Sequence, residues 1–307
     1  MYNNIMTKEE CQVSESEKKL LQKLAIKKSY NKVVFDFLVD QGEKIKAERL
    51  KECATYIEIV RETEQPKIVR ANFCRERMCN VCAWRKQSKF VATISPVLEK
   101  LSNDGYEYLF VTLTLKNVKR DEVGKTLDLM MKSYNKFLGR KKIELAFEGA
   151  IRSLEITYNA ESNTFHPHIH ILAAVRGDYF SNPKRYISQR ELCSIWKECI
   201  GENYTPVCHI EKVTSSSRAE VETLKYCIKP SKERQALEVF FKVLKGRRLV
   251  SFSGIFARYR KAVETAEEVL TDNVLTTGKP YEATCYKFDV TGGVYAFYNK
   301  SIYVKEE

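Results

Sequence analysis

The stretch Phe165–Leu172, FHPHIHIL, contains three of the four histidines in this chain of 307 residues. Its alternation predicts a β-strand over 168–175, because residues two positions apart lie on the same face of a strand. His168 and His170 then share one face, and the isoleucines beside them turn to the core on the other face. Two imidazoles on one sheet face are a pair of metal-ligand candidates. The alternative is a buried, hydrogen-bonded pair that holds no ligand.

A carboxylate on the preceding predicted strand, 151–158, extends this pattern. Glu155 shares its face with Ser153 and Thr157, and its apolar neighbours turn the other way. Two imidazole nitrogens and one carboxylate leave coordination positions on Mg²⁺ or Mn²⁺ for water and a phosphate oxygen. Such an ion polarises a scissile phosphate as a Lewis acid. Zinc is the alternative metal, because sites of this composition also take zinc.

The surrounding patterns predict an α+β fold. In order they indicate a strand at 108–115, a helix at 121–138, the two strands above, a helix ending at Gly201, a strand at 207–213 and a helix at 218–229. This order predicts helices packed on an antiparallel sheet. Residues 14–60 are predicted as helical, and a further helix is predicted near 87–101 with a kink at Pro96. Residues 233–307 are predicted to form two helices and then a hairpin over 286–298.

The predicted helix 218–229 places Glu222 and Tyr226 one turn apart on the same face. Three lysines surround them: Lys225, Lys229 and Lys232. Tyrosine can form covalent intermediates, but a phenol with a pKa of about 10 must be activated. Nearby lysines and a metal-polarised phosphate would supply that activation. The alternatives are a packing aromatic at Tyr226 and a surface ion pair of Glu222 with a lysine.

The segment Cys74-x4-Cys79-x2-Cys82 places three thiolates at zinc-ligand spacing. A structural zinc site needs a fourth ligand, and the candidates are Cys53, Cys208 and His209. Ten cysteines in a chain whose N-terminus shows no apolar export signal indicate free thiols and metal ligands rather than disulfides. The alternative is three unconnected buried cysteines. The cytoplasm is the expected compartment, and no apolar stretch is long enough to cross a membrane.

The net charge of +12 is concentrated in two windows, 67–89 and 225–248. Clustered positive charge is typical of a protein that binds a polyanion such as DNA, although a solvated basic surface is the alternative. The DNA-contact candidates are Arg75, Arg77, Arg85, Lys86, Lys225 and Lys232. Phe240 and Phe241 could stack on bases, but their spacing favours a helix core.

Three stretches together resemble the ordered motifs of HUH endonucleases. They are Phe110–Asn117 (FVTLTLKN), Phe165–Leu172 and Glu222–Lys229 (ETLKYCIK). The similarity is closest to the replication initiators of small bacterial rolling-circle plasmids and spans roughly residues 50–255. It implies an HUH-type antiparallel sheet flanked by helices, with a helical, zinc-binding N-terminal part and a helical C-terminal extension. The expected division is 1–100, a nuclease domain at 101–232, and a DNA-binding or oligomerisation extension at 233–307.

The resemblance also implies residue roles. His168 and His170 would be metal ligands, with Glu155 as a third, and Tyr226 would be the nucleophile. Glu222 would serve termination. Among the cysteines it favours Cys53 as the fourth zinc ligand, beside Cys74, Cys79 and Cys82.

The activity that the resemblance implies is metal-dependent nicking and joining of single-stranded DNA at a plasmid origin, through a 5′-phosphotyrosyl intermediate. The expected partners are origin DNA, single-stranded or as an extruded hairpin, and a host helicase and DNA polymerase, and a homodimer is allowed. Other interpretations are an HUH transposase or relaxase, and a non-catalytic, zinc-dependent DNA-binding regulator.

Overall fold

The computed structural model describes residues 2–7, 13–61, 66–213, 233–261 and 281–305. In chain order its elements are β1 (Tyr2–Thr7), α1 (Glu15–Asp40), α2 (Lys44–Glu52), β2 (Tyr56–Val60), β3 (Lys67–Ala71), α3 (Asn80–Asn103), β4 (Tyr106–Thr114), α4 (Val123–Leu138), α5 (Lys141–Ala146), β5 (Gly149–Asn159), β6 (Thr164–Arg176), α6 (Gln189–Ile200), β7 (Cys208–Lys212), α7 (Arg234–Val243), β8 (Val250–Gly254), β9 (Tyr281–Asp289) and β10 (Val294–Lys305). Short 3₁₀ turns precede α4 and follow β8. The fold is α+β, as predicted.

The chain divides into two compact units. The cysteine unit comprises Met1–Lys86 and Glu268–Glu307, and the histidine unit comprises Gln87–Glu267. Each contains a five-stranded sheet whose neighbouring strands are all antiparallel. Among the described residues, no helix combines the length and apolar character that crossing a bilayer requires.

The histidine-unit sheet has the strand order β7-β4-β6-β5-β8. One face packs on α4, α6 and α7, which contribute Phe137, Trp196 and Phe240 to the core. Phe240 is buried, as its helical spacing predicted, and does not form an exposed stacking surface. On the opposite face, α3 packs Phe90 and other apolar side chains over one end of the sheet. The polar residues of that face lie beyond this apolar end.

Local capping signals define the ends of α6. The Ser188 hydroxyl accepts a hydrogen bond from the backbone N–H of Glu191, and the chain leaves the helix at Gly201 with a φ of 71°. These features confirm the predicted helix. Pro96 lies inside α3, which continues to Asn103. The predicted helix 218–229 lies outside the described residues.

The cysteine-unit sheet has the order β1-β10-β9-β2-β3. It corrects the prediction that residues 14–60 are helical, because 56–60 form β2. The sequence YIEIV alternates β-branched residues, and Ala54 with a φ of 53° interrupts the backbone after α2. β2 then pairs with β9, which lies more than two hundred residues later in the chain.

The predicted helical extension at 233–307 is also wrong in part. Within it, α7 and β8 belong to the histidine unit, while β9 and β10 form a hairpin in the cysteine-unit sheet. The hairpin around Gly292 and Gly293 was predicted, but its partner strands β1 and β2 were not. The division into 1–100, 101–232 and 233–307 therefore differs from the division in the structure. Sheet pairing joins the two ends of the chain, which no local pattern reveals.

Candidate functional site

The register of three strands places the histidine pair and Glu155 on one sheet face. β6 lies between β4 and β5, so His170 stands between Thr112 and Ser153 in one row of the sheet. In the next row His168 stands between Thr114 and Glu155. Directly opposed residues of antiparallel strands share a face, so these side chains all point the same way.

The three predicted ligands converge on one point. Oε2 of Glu155 lies 3.2 Å from Nε2 of His168 and 3.1 Å from Nε2 of His170. Glu155 is 1% exposed and His168 is 8% exposed. Donor atoms bound about 2.1 Å from one divalent cation would lie about 3.0–3.4 Å apart. The donor set and these separations fit a divalent cation.

The outer nitrogens of both imidazoles are also engaged. Nδ1 of His168 lies 3.2 Å from the backbone carbonyl of His166, and Nδ1 of His170 lies 3.1 Å from Oγ1 of Thr112. A histidine that binds metal through one ring nitrogen usually donates a hydrogen bond from its other ring N–H to such a partner. Ser153, buried in the same row as His170, has a hydroxyl with no hydrogen-bond partner among the described residues. A polar atom buried beside the cluster in this way fits a site that takes a ligand.

His166 is near this centre but is not a member of the ligand group. Its ring stacks on that of His168, with centroids 5.2 Å apart and an interplanar angle of 29°. Burial, and next the neighbouring His168, lower the pKa of His166 below its ordinary value. The contribution of His166 to the centre is its backbone carbonyl. The sequence pattern did not reveal this role.

Four cysteines converge in the cysteine unit: Cys53, Cys74, Cys79 and Cys82. The Sγ atom of Cys53 lies 3.5 Å from those of Cys79 and Cys82, and the Sγ atoms of Cys74 and Cys82 are 3.6 Å apart. Four sulfurs bound about 2.3 Å from a tetrahedral zinc would lie about 3.8 Å apart, whereas a disulfide bond is about 2.05 Å long. The cluster therefore fits zinc. It includes Cys53, while Cys208 and His209 lie in the other unit.

The backbone around the cysteines is arranged to donate to sulfur. The N–H groups of Arg75, Glu76 and Cys82 each donate to a cluster sulfur at 3.3–3.4 Å. Arg75 has a φ of 60°, which turns the chain directly after Cys74. The Asn31 amide, on α1, donates to Sγ of Cys79 at 3.2 Å. These donors favour thiolate sulfur, which is the form that binds metal.

The comparison with known proteins identifies the family of this chain. The family model Rep_1, described as "Replication protein", matches residues 65–293. The chain belongs to this family. No solved structure matches it.

Individual relatives are named "Protein rep". One from Bacillus sp is 35% identical over 199 residues, which are 63% of this chain and 64% of the relative. One from Streptococcus pneumoniae is 30% identical over 242 residues, 75% of this chain and 76% of the relative. One from Staphylococcus aureus is 32% identical over 215 residues, 69% of this chain and 94% of the relative. The chain spans 64% and 58% of the lengths of two Bacillus relatives that it matches.

The basic residues of the cysteine segment of this replication protein separate into two kinds. Arg75 and Arg77 are exposed, and Lys86 is half-buried. Arg85 is only 7% exposed, and its guanidinium donates to the Ile68 carbonyl at 3.1 Å. Arg85 is therefore buried and does not lie on an exposed surface, where a DNA contact was predicted for it. Positive charge in the sequence indicates a possible DNA contact, but it does not indicate whether the side chain is exposed.

The tyrosine-helix residues Glu222, Lys225, Tyr226, Lys229 and Lys232 lie outside the described residues. The distances and contacts described above do not test the roles predicted for these residues. The fourth histidine, His209, lies on β7 opposite Thr112 and is half-exposed beside Glu211, with Nε2 and Oε2 3.3 Å apart. The spacing of residues in the sequence could not predict that His209 lies on this sheet face, because β7 and β4 are far apart in the chain and pair through a long-range contact.

Proposed function

We propose that this replication protein starts rolling-circle replication of a plasmid by nicking and joining single-stranded DNA at the origin. The observation that carries the proposal is the convergence of Glu155, His168 and His170 on one sheet face. Membership of a replication-protein family supports the biological context. The resemblance of the three ordered motifs to those of HUH endonucleases supports Tyr226 as the nucleophile that would attack a phosphate bound at this centre.

The buried cluster is suited to hold Mn²⁺ or Mg²⁺ through its two imidazole nitrogens and one carboxylate oxygen. An ion bound there would supply Lewis-acid polarisation of a phosphate oxygen. The protein supplies the orientation, because all three side chains project from paired strands of one sheet. Rigid strand positions suit chemistry that depends on placing the scissile phosphate accurately.

In the proposed reaction the phenolic oxygen of Tyr226 forms a bond to phosphorus, and the bond between phosphorus and the 3′-oxygen breaks. The products are a 5′-phosphotyrosyl link and a free 3′-OH, which a host polymerase extends after a host helicase opens the duplex. Lys225 and Lys229, close to Tyr226 in the sequence, favour the phenolate. Glu222 activates water at termination.

The four cysteines are suited to hold a structural Zn²⁺. This ion would fix the loop that carries Arg75 and Arg77, which are exposed and suited to phosphate contacts. Lys86, Lys225 and Lys232 are further candidates for the DNA backbone. The DNA would be the plasmid origin, presented as a single strand or an extruded hairpin.

An oligonucleotide assay tests the nuclease proposal. Wild-type protein is incubated with labelled single-stranded origin DNA in Mn²⁺, in Mg²⁺ and in EDTA, and nicks and covalent adducts are measured. Tyr226→Phe is expected to bind DNA normally but to form neither product. Tyr186→Phe is the matched control, because Tyr186 is exposed and its ring contacts Tyr179 and Phe180 rather than the histidine cluster. Adducts on another tyrosine, or full cleavage in EDTA, would contradict the assignment. DNA binding without any nick would favour the regulator.

A further inference from the structure

The strand β4 carries the first of the three motifs, and none of its residues belongs to the ligand cluster. Phe110 and Thr112 alternate on the face that bears the histidines. In the sheet, Thr112 is directly opposite His170, and Phe110 is one row further along. Both side chains contact the His170 ring, each in a different way.

The contact with Thr112 concerns the proton on the His170 ring. Its hydroxyl oxygen is 3.1 Å from Nδ1, on the opposite side of the ring from Nε2, which faces Glu155. A neutral imidazole carries one proton, so Nε2 offers a lone pair to a cation only when Nδ1 holds that proton. The Thr112 hydroxyl oxygen is close enough to accept a hydrogen bond from a proton on Nδ1.

The two histidines have different hydrogen-bond partners at Nδ1. Nδ1 of His168 faces the backbone carbonyl of His166, which can only accept a hydrogen bond and therefore favours a proton on Nδ1. His170 depends on a side chain for the same purpose. Its partner can consequently be removed by a substitution, whereas the partner of His168 cannot.

The contact with Phe110 concerns the plane of the ring. The Phe110 and His170 rings are stacked, with centroids 5.3 Å apart and an interplanar angle of 18°. Phe110 is itself only 8% exposed, so its position is fixed by packing. A stacked neighbour restricts rotation of the imidazole about its broad terminal torsion.

We infer that Thr112 and Phe110 are positioning residues for His170. The Thr112 hydroxyl accepts a hydrogen bond from Nδ1–H, and the Phe110 ring holds the imidazole plane, so that the Nε2 lone pair is directed to a cation beside Glu155. The inference rests on the proposed divalent-metal site.

Metal titration of the full-length protein tests the inference. Mn²⁺ affinity is measured by calorimetry for wild type, Thr112→Val, Thr112→Ser and Thr114→Val. Thr112→Val keeps the shape and strand propensity but removes the acceptor, and we expect its affinity to fall about 10- to 100-fold. Thr112→Ser restores the hydroxyl and is expected to bind nearly as wild type. Thr114→Val is the matched control, because its hydroxyl donates to the Val207 carbonyl and not to a histidine.

A spectroscopic readout separates positioning from a general structural effect. The ¹⁵N shifts of the His170 ring in metal-free protein report which nitrogen is protonated. We expect more of the Nδ1–H form in wild type and Thr112→Ser than in Thr112→Val, where Nε2–H would donate to Glu155. Phe110→Leu is expected to weaken Mn²⁺ binding while leaving the tautomer balance close to wild type.

The outcomes distinguish this inference from the function on which it rests. If Glu155→Ala abolishes Mn²⁺ binding while Thr112→Val binds as wild type with an unchanged ¹⁵N pattern, the positioning role is overturned and the metal site stands. If Glu155→Ala binds Mn²⁺ as tightly as wild type, the metal assignment fails and the inference fails with it. Loss of affinity in Thr112→Val alone, rescued by serine, supports both.

Discussion

At the residue scale, the central feature of the histidine cluster is the buried carboxylate of Glu155, which lies beside both imidazoles. A carboxylate that is 1% exposed requires cations or hydrogen-bond donors, because an uncompensated charge in the interior is costly. The two Nε2 atoms beside it are donors only when protonated. A divalent cation meets the requirement of the carboxylate and of both imidazole lone pairs together. The centre is therefore expected to be less stable without metal.

Thermal unfolding measures this dependence. Saturating Mn²⁺ should raise the unfolding temperature of wild type, since a ligand at about a hundred times its Kd stabilises the native state by about 2.7 kcal/mol. Glu155→Gln keeps the shape but removes the charge, and its unfolding temperature should not respond to Mn²⁺. His209→Gln is the control on the same sheet face. An equal response from Glu155→Gln and wild type would place the ion elsewhere.

The three histidines should differ in their effect on cleavage. His168→Ala and His170→Ala each remove a proposed ligand atom and are expected to abolish nicking. His166→Ala keeps the backbone carbonyl that faces Nδ1 of His168 and loses only a stacked ring, so a milder loss is expected. Initial rates on a single-stranded oligonucleotide decide the order. Equal loss in all three would make His166 a member of the reacting cluster.

The residues of this centre were predictable only where a single strand decides them. Alternation assigned His168 and His170 to one face, and the same rule assigned Glu155 to the polar face of its strand. The contacts of Thr112 and Phe110 with His170 were not predicted, because they depend on β4 lying beside β6. Sequence alternation specifies a face of a strand but not which strand is its neighbour.

At the element scale, the cysteine cluster joins three separate parts of the chain. Cys53 follows α2, Cys74 lies after β3, and Cys79 and Cys82 lie at the start of α3. α2 and β3 are short, and contacts at the cluster connect these parts of the chain, including the hydrogen bond from the Asn31 amide of α1 to Cys79. A metal that binds such a cluster contributes its binding free energy to folding. The spacing predicted that three of these clustered cysteines act together, and the resemblance favoured the fourth.

Zinc content and stability should therefore change together. Purified wild type is expected to contain about one zinc per chain, and Cys79→Ser or Cys82→Ser should lose the zinc and unfold at lower denaturant concentration. Cys285→Ser is the control, because Cys285 is buried in the same unit and contacts Ser301 rather than the cluster. Elemental analysis and denaturant unfolding provide the measurements. Wild-type protein without zinc would refute the assignment.

At the scale of the whole molecule, the chain ends meet in one sheet. Residues of β2 pair with β9, as in Ile57 with Tyr286, and β10 pairs with β1. The Tyr286 hydroxyl donates to the buried Glu17 carboxylate on α1 at 2.7 Å. Local patterns predicted the β9–β10 hairpin, but its assignment to a C-terminal domain failed because pairing over such a distance leaves no local signal. The histidine unit was predicted better because its strands are closer in sequence.

The complete reaction cycle gives the last prediction, which concerns Glu222. After one round of synthesis the displaced strand must be released, and a helical turn around Tyr226 contains no second tyrosine. A carboxylate one turn away can take a proton from water as its oxygen attacks phosphorus at the regenerated origin. In the proposed cycle the phosphorus–3′-oxygen bond would then break, leaving a 3′-OH that would attack the tyrosyl phosphodiester, close the circle and free Tyr226.

Glu222→Ala should consequently keep initiation nicking and the covalent adduct but fail to terminate, and multimeric single strands should accumulate. A plasmid with two origins measures termination frequency directly. Glu220→Ala is the matched control, because two positions along a predicted helix place its carboxylate on a different face. The alternative is that Glu222 only pairs with Lys225 or Lys229, a contact worth about 0.2–0.5 kcal/mol on a helix surface. In that case Glu222→Ala would terminate as often as wild type and as Glu220→Ala, since neither carboxylate would then take part in the closing step.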